Sequence, residues 1–209
     1  MHTYLNLKDS VSNVLGRTDG STAVVIRDNS INFVRQNEIA NYYPFSFLEK
    51  QTTLTVTSEA ADLPADFNIN HDPKDVRVVG VGKFNKIEVE DSENYGSGDR
   101  VYWIDWNSST ERWRMNTLYD CSLRVIYYQV PATLTADATY DIIPDLDVVT
   151  FLAASRYWLS SERDEDNHDR FKLLGQKALD RLVVTDKRKK IRKTRSVMNG
   201  VNMGFNKAG

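Results

Sequence analysis

The stretch that decides the fold is DIIPDLDVVTFLAASRYWLSSERDEDNHDRFKLLGQKALDRLVV, residues 141–184. Its apolar residues recur every three or four positions on both sides of a polar segment, residues 161–167, which is the period of amphipathic helices. Asp145 follows Pro144 and can cap the first helix. We therefore predict two long antiparallel helices joined by a polar turn. Such a pair must bury its apolar faces against the rest of the chain.

The N-terminal part, residues 1–50, is also predicted to be helical. One helix is expected over residues 6–15. A second is expected over residues 31–43, capped from residues 28–30 and ended by Pro44. The aromatic residues around this end are expected to fill the core beneath the long helix pair.

Residues 51–130 change to an alternating period, which is typical of strands. Strand patterns cover residues 53–57, 76–81, 83–90, 101–106, 111–117 and 122–129, and residues 61–67 read as a linker with Pro64. Six short strands predict a small antiparallel sheet, either a sandwich or a barrel. We predict an α+β fold: a helical body from residues 1–50 and 131–186, an inserted β domain over 51–130, and an extended C-terminal arm over 187–209.

Charge is unevenly distributed along the 209 residues. The net charge is −2, yet residues 187–209 hold eight basic side chains and no acidic one, while the rest holds 19 basic and 29 acidic side chains. The basic run fits three interpretations: a solvated helix end, a contact with nucleic-acid phosphates, or docking onto an acidic protein surface.

Apolar residues beyond the basic run favour the docking interpretation. A tail of this kind is expected to be disordered alone and ordered by a partner. The predicted docking-arm residues are Lys187, Arg188, Lys189, Lys190, Arg192, Lys193, Arg195, Val197, Met198, Val201, Met203 and Phe205.

The sequence offers little to support catalysis. The three histidines have no second histidine or cysteine at metal-ligand spacing, and Cys121 is alone. No phosphate loop, dinucleotide fingerprint or nucleophile elbow is present. We expect no metal, no cofactor and no enzyme activity. No apolar run suits a membrane span or a secretory signal, so no membrane association is expected.

The aromatic strands leave one enzymatic alternative open. Tryptophans beside acids such as Asp105 and Glu111 suit sugar binding or glycoside hydrolysis. The same strands also fit a contact with a neighbouring subunit or with the tail, because aromatic side chains bury large areas at interfaces. The predicted interface residues are Tyr102, Trp103, Trp106 and Trp113.

Four segments in order carry a family resemblance: NFVRQNEIANYYPF (32–45), TLTV (53–56), DLPADF (62–67) and VIYYQVPATL (125–134), followed by the final helix pair. The chain resembles the head–tail connector proteins of tailed bacteriophages, including the tubular-tail and head-completion adaptors of short-tailed phages. The resemblance spans roughly residues 25–185.

The resemblance implies a structural virion protein, assembled in the bacterial cytoplasm and located in the neck. It implies a ring, commonly of twelve copies, that lies below the portal, continues the DNA channel and offers an attachment site to a tail nozzle or tail-tube protein. In such adaptors a C-terminal arm binds the portal, and double-stranded DNA passes without sequence-specific binding. A sugar-active tail component remains the second hypothesis, and a nucleic-acid-binding protein that uses the basic tail is the third.

Overall fold

A computed structural model describes residues 2–16, 20–78 and 81–202; for residues 193–202 it describes the backbone alone. The chain divides into two compact units. The first, Met1–Phe47 with Thr133–Gly209, is helical, and the second, Leu48–Ala132, is built mainly of strands. The predicted α+β fold with an inserted β unit is confirmed.

The helical unit begins with helix α1, Tyr4–Leu15, which confirms the first predicted helix. Its N-terminus is a capping box: the Asn6 amide donates to the Thr3 hydroxyl at 3.2 Å, and the Thr3 amide donates to the Asn6 side chain at 3.0 Å. Gly16 ends the helix in the left-handed conformation, with a φ of 64°.

The next helix starts earlier than predicted. Helix α2, Ser21–Phe33, continues through a π-helical segment, Val34–Ile39, into the short helix α3, Ala40–Tyr42. The predicted start after residues 28–30 is wrong because the polar side chains there bond within the helix. The Ser30 hydroxyl donates to the Ile26 carbonyl oxygen, four residues back, at 2.7 Å.

A buried ion pair joins the π-helical segment to the entrance of the long helix pair. Arg35 Nη2 lies 2.8 Å from Asp141 Oδ1, and the two side chains are 2% and 1% exposed. The same carboxylate oxygen accepts from the Ile143 amide at 3.2 Å. Arg35 also donates to the Asn32 side chain at 3.2 Å, and Asn32 bonds both the amide and the carbonyl of Leu134. This network fixes the segment from Leu134 to Ile143, which leads to the helix that begins at Leu146.

The predicted helix pair is present as α4, Leu146–Ser161, and α5, Glu165–Asn202. Asp145 caps α4 as predicted, accepting from the amides of Asp147 at 3.0 Å and Val148 at 3.4 Å. The turn, residues 162–164, is shorter than the predicted 161–167, because the Asp164 carboxylate accepts from the Asn167 amide at 2.9 Å and starts α5 early.

Helices α4 and α5 are antiparallel and cross closely at Gly175. A Cβ on Gly175 would lie 2.6 Å from Leu152 Cδ2, 2.7 Å from its Cγ and 3.1 Å from its backbone nitrogen. The rings of Phe151 and Phe171 stack one turn away, at 6.5 Å. Glycine is therefore required for the close approach of the two helices.

The C-terminal arm was predicted to be extended, and this part of the prediction is wrong for residues 187–202, which continue α5. Lysine and arginine are good helix formers. The basic run therefore extends the helix that precedes it.

Among its described residues, 48–78 and 81–132, the β unit contains two four-stranded sheets, ordered β1-β8-β3-β4 and β2-β7-β6-β5. The strands are β1 (Glu49–Val56), β2 (Ala60–Asp62), β3 (Asp75–Val78), β4 (Gly82–Lys83), β5 (Asn85–Lys86), β6 (Val101–Asn107), β7 (Arg112–Thr117) and β8 (Cys121–Tyr128). All pairs are antiparallel except β5 with β6. Side chains of both sheets share one core, including Leu54, Val76, Tyr102, Met115 and Leu123.

Two predicted segments of the β unit differ from the structure. The single strand predicted over 83–90 is replaced by β4, β5 and a 3₁₀ helix, Val89–Asn94. Its alternating pattern is misleading because only Phe84 is buried there, at 1% exposure. The predicted linker over 61–67 overlaps β2, which pairs with β7.

We predict that Arg35→Met lowers the free energy of unfolding of the helical unit by about 3–5 kcal/mol, because Asp141 is left as a buried charge without its cation. The double variant Arg35→Met with Asp141→Asn should recover much of that loss. Urea unfolding followed by far-ultraviolet circular dichroism measures both. A double variant whose loss equals the sum of the two single losses would contradict the proposed pairing.

We predict that Gly175→Ala lowers the free energy of unfolding by about 1–3 kcal/mol, because the added methyl group meets the Leu152 side chain and backbone. Alanine forms helix better than glycine by about 1 kcal/mol, so an uncrowded site would show the opposite sign. Gly98→Ala is the control, since nothing lies within 4 Å of the Cβ position there. A thermal midpoint raised by Gly175→Ala would show that the crossing has room.

Candidate interaction surfaces

The basic end of α5 is fastened to the segment that follows α3. The Asp186 side chain is 4% exposed and accepts from the Ser46 amide at 3.1 Å and from the Ser46 hydroxyl. Lys190 Nζ lies 3.0 Å from Asp186 and donates to the Pro44 carbonyl oxygen at 2.8 Å. The Lys190 ammonium also lies 4.8 Å from the centre of the Tyr43 ring. We call these five residues the arm anchor.

The arm anchor favours an ionised Asp186. Burial raises the pKa of Asp186, but hydrogen bonds from Ser46 and Lys190 outweigh burial and hold the pKa below its ordinary value of 3.8. Because the carboxylate is paired and hydrogen-bonded, α5 is held at Asp186 and Lys190 against the segment that follows α3 at neutral pH.

The predicted arm residues fall into three groups. Lys187, Arg188, Lys189 and Arg192 are exposed, while Lys190 belongs to the arm anchor. Between them Ile191 is 55% exposed. The side chains of Lys193, Arg195, Val197, Met198 and Val201 lie outside those the structure describes, although their backbone is helical, and Met203 and Phe205 lie outside the described residues.

The predicted aromatic interface is partly at the surface. Trp106 of β6 pairs across the strands with Trp113 of β7, edge to face at 5.3 Å, and Trp106 is 51% exposed. Trp103 is half-buried on the opposite face of β6. The structure corrects the prediction of Tyr102 as an interface residue. The Tyr102 side chain is 4% exposed and belongs to the core of the β unit, so we no longer count it in the candidate interface. Burial raises its pKa to about 12.

Asp105, one of the acids beside these aromatic residues, is paired with an arginine. Arg114 donates two hydrogen bonds to Asp105, at 3.1 and 2.9 Å, and holds the pKa of Asp105 below its ordinary value. A general acid needs a raised pKa, so Asp105 is unsuited to that role. Glu111 lies in the β6–β7 turn with a φ of 52°.

Other chemistry has little support in the part of the chain that the structure describes. No three histidine, cysteine, aspartate or glutamate side chains come together there as a metal site. Burial raises the pKa of the Cys121 thiol, which disfavours the nucleophilic thiolate. No helix among the described residues is long and apolar enough to cross a membrane.

A polar cleft that sequence reasoning missed lies between β1 and β2. Its volume is about 470 Å³, and its walls include Thr53, Thr55, Asp62, Asn107 and Arg114. The Asn107 side chain donates to Asp62 at 3.3 Å. The residues come from distant positions in the chain and form no motif, so no sequence pattern could have identified them.

Comparison with known proteins identifies the family of this chain. The family model for the SU10 adaptor protein matches residues 2–201. The chain belongs to the SU10 adaptor protein family. The adaptor is thus a structural phage protein of a head–tail adaptor family and a virion component that associates with other virion components. A comparison with curated proteins finds no match.

We predict that Asp186→Asn lowers the free energy of unfolding at neutral pH by about 1–3 kcal/mol, because it weakens a buried, charge-assisted contact. The folded-state pKa is lowered, so the contribution of Asp186 is present above the unfolded value of 3.8 and is lost as pH falls through the lower folded value. The difference from the unmodified chain should therefore shrink below about pH 4.

The control for this prediction is Asp169→Asn, because the Asp169 side chain is 79% exposed. It should change the stability within about 0.5 kcal/mol. Urea titrations at several pH values give both results, and a pH-independent effect of Asp186→Asn would show that the charge of the carboxylate contributes nothing.

Proposed function

We propose that the adaptor forms a ring, of twelve copies, below the portal, where it extends the DNA channel and provides the attachment site for the tail. In this proposal the C-terminal end of α5 is the portal-docking arm. The tail side binds a nozzle or tail-tube protein, and the protein has no catalytic role. The observation that carries the proposal is the family match over residues 2–201.

The geometry of α5 supports a docking role for its end. Its 38 residues correspond to about 57 Å of helix, whereas the 16 residues of α4 correspond to about 24 Å. The arm anchor holds the helix at Asp186 and Lys190, and the exposed basic residues lie between and just after these two positions. A helix that is fixed at its base presents these charges in a preorganised form, which lowers the entropy lost on binding.

Ring closure requires two different complementary faces on each subunit. We propose that Trp103, Trp106 and Trp113 contribute to a contact with a neighbouring subunit or with the tail. A half-exposed tryptophan pair is the kind of side chain that dominates interface energies.

Charge supports passage of DNA without retention. Outside residues 187–209 the chain carries ten more acidic than basic side chains. An acidic lumen repels phosphates, whereas a basic lumen would bind them. We propose that the acidic part of the adaptor faces the channel and that the basic arm faces protein.

The experiment that tests the adaptor role is native mass measurement of the purified chain, alone and mixed with a portal ring. A monomer that becomes a discrete assembly of about twelve copies only on the portal supports the proposal. A chain that stays monomeric in both samples contradicts it, and oligosaccharide and DNA binding would then be measured in that order.

We predict that replacing Arg188, Lys189 and Arg192 by glutamine lowers affinity for the portal roughly tenfold or more, because three interfacial charges are lost. The matched control replaces Lys172, Lys177 and Arg181, which are exposed basic residues of the same helix upstream of the arm anchor. Deletion of residues 199–209 should also leave the chain folded but impair attachment. Equal losses in the test and control variants would indicate a general charge effect and would contradict an arm-specific contact.

A further inference from the structure

One strand edge of the β unit is long and open. Of the four edge strands in the two sheets, β2, β4 and β5 have two or three residues, whereas β1 has eight. Short edge strands are a usual protection against unwanted pairing. The length of β1 makes it the exception.

The backbone groups of β1 can be assigned to the two sides of the strand. The Gln129 amide donates to the Leu48 carbonyl oxygen at 2.9 Å, and the β1–β8 register continues from that pair. Because antiparallel ladders alternate, the even-numbered residues of β1 bond to β8. The N–H and C=O groups of Gln51, Thr53 and Thr55 point away from β8.

The outward direction is confirmed at the end of β1. Thr57 exchanges two hydrogen bonds with Ala60, at 3.2 and 3.3 Å, on that side. Beyond this bridge β1 and β2 are not paired, and the polar cleft lies between them. Within the part of the chain that the structure describes, the outward groups of Gln51, Thr53 and Thr55 have no backbone partner.

The opposite wall also presents backbone to the cleft. Leu63 and Glu59 bond to β7, through Trp113 and Thr117 at 2.8 and 2.9 Å. By the same alternation the N–H and C=O groups of Asp62 point away from β7, towards the cleft. The β1 wall thus offers backbone donors and acceptors at strand spacing, and the β2 wall adds those of Asp62. An extended polypeptide satisfies groups of this kind.

The lining of the cleft carries one carboxylate, Asp62, and one cation, Arg114. Arg114 is bonded in bidentate fashion to the neighbouring Asp105, whereas the Asp62 carboxylate accepts from the Asn107 amide group. Asp62 is therefore the acidic group that the cleft offers to an incoming cation. The stretch from Gln51 to Thr57 has no charged side chain that would hinder strand pairing.

We propose that the outward edge of β1 is a docking site for an extended, proline-free segment of another virion protein, with a lysine or arginine that reaches Asp62. The incoming strand would add to the β1 edge through Thr53 and Thr55. The choice of a virion protein as the source rests on the proposed adaptor function; the strand-docking chemistry does not depend on it.

The test uses the full chain and a synthetic peptide of alternating threonine and valine with one central lysine. Backbone hydrogen exchange measures protection of the Thr53 and Thr55 amides during titration. A matched peptide with glutamate in place of lysine should bind about tenfold more weakly. A third peptide, with N-methyl groups on alternate residues, should give no protection because strand pairing is blocked.

Two protein variants complete the test. Thr55→Pro removes an outward donor without breaking a β1–β8 hydrogen bond and should abolish protection, whereas Thr55→Val should retain it. Asp62→Asn should remove the preference for the lysine peptide. If Thr55→Pro does not fold, as judged by circular dichroism, the comparison between the lysine peptide and its N-methylated form tests strand pairing without that variant.

Unchanged exchange of Thr53 and Thr55 with the lysine peptide would overturn the proposal, as would binding that survives N-methylation. Protection that arises from self-association of the chain, or from added oligosaccharide in place of peptide, would also overturn it. Native mass on the portal is measured in parallel. A chain that binds the peptide at β1 but forms no ring contradicts the ring and leaves the docking site intact.

Discussion

The buried ion pair between Arg35 and Asp141 is the constraint on which the helical unit depends. A guanidinium and a carboxylate that are almost fully excluded from water are tolerated only when they meet in good geometry with further hydrogen bonds. Asn32 and the Ile143 amide supply those bonds. The pair therefore fixes the register between the N-terminal helices and the segment that enters α4, which apolar packing alone would leave free to slide.

The π-helical segment gives this pair its place in the fold. A local change from the α-helical to the π-helical bonding pattern alters the directions of the side chains that follow it. Arg35 lies within that segment and is directed into the helical unit, where Asp141 is. A long charged residue inside a helix would otherwise be expected at the surface.

The end of α5 shows how polar contacts can support an interaction surface without belonging to it. Asp186 and Lys190 bond to residues after α3 and are largely committed within the helical unit. The neighbouring exposed charges remain available to a partner. The β unit shows a similar division of roles. Strand β8 satisfies the backbone hydrogen bonds on one side of β1, and the other side of β1 remains open.

Sequence alone determined the class of fold, the helix pair with its Asp145 cap and most strands, because these depend on periodicity and on local capping chemistry. It did not determine the start of α2, the continuation of α5 or the burial of Tyr102. The burial of Tyr102 and the anchoring of α5 at Ser46 depend on residues far along the chain, whereas the start of α2 reflects hydrogen bonds within the helix that compete with the capping pattern. Only the tertiary structure decided two further features: the Arg35–Asp141 pair, whose members are 106 residues apart, and the cleft between β1 and β2. The reason is that a sequence pattern records the spacing of neighbouring residues. It does not record which distant backbone and charged groups meet.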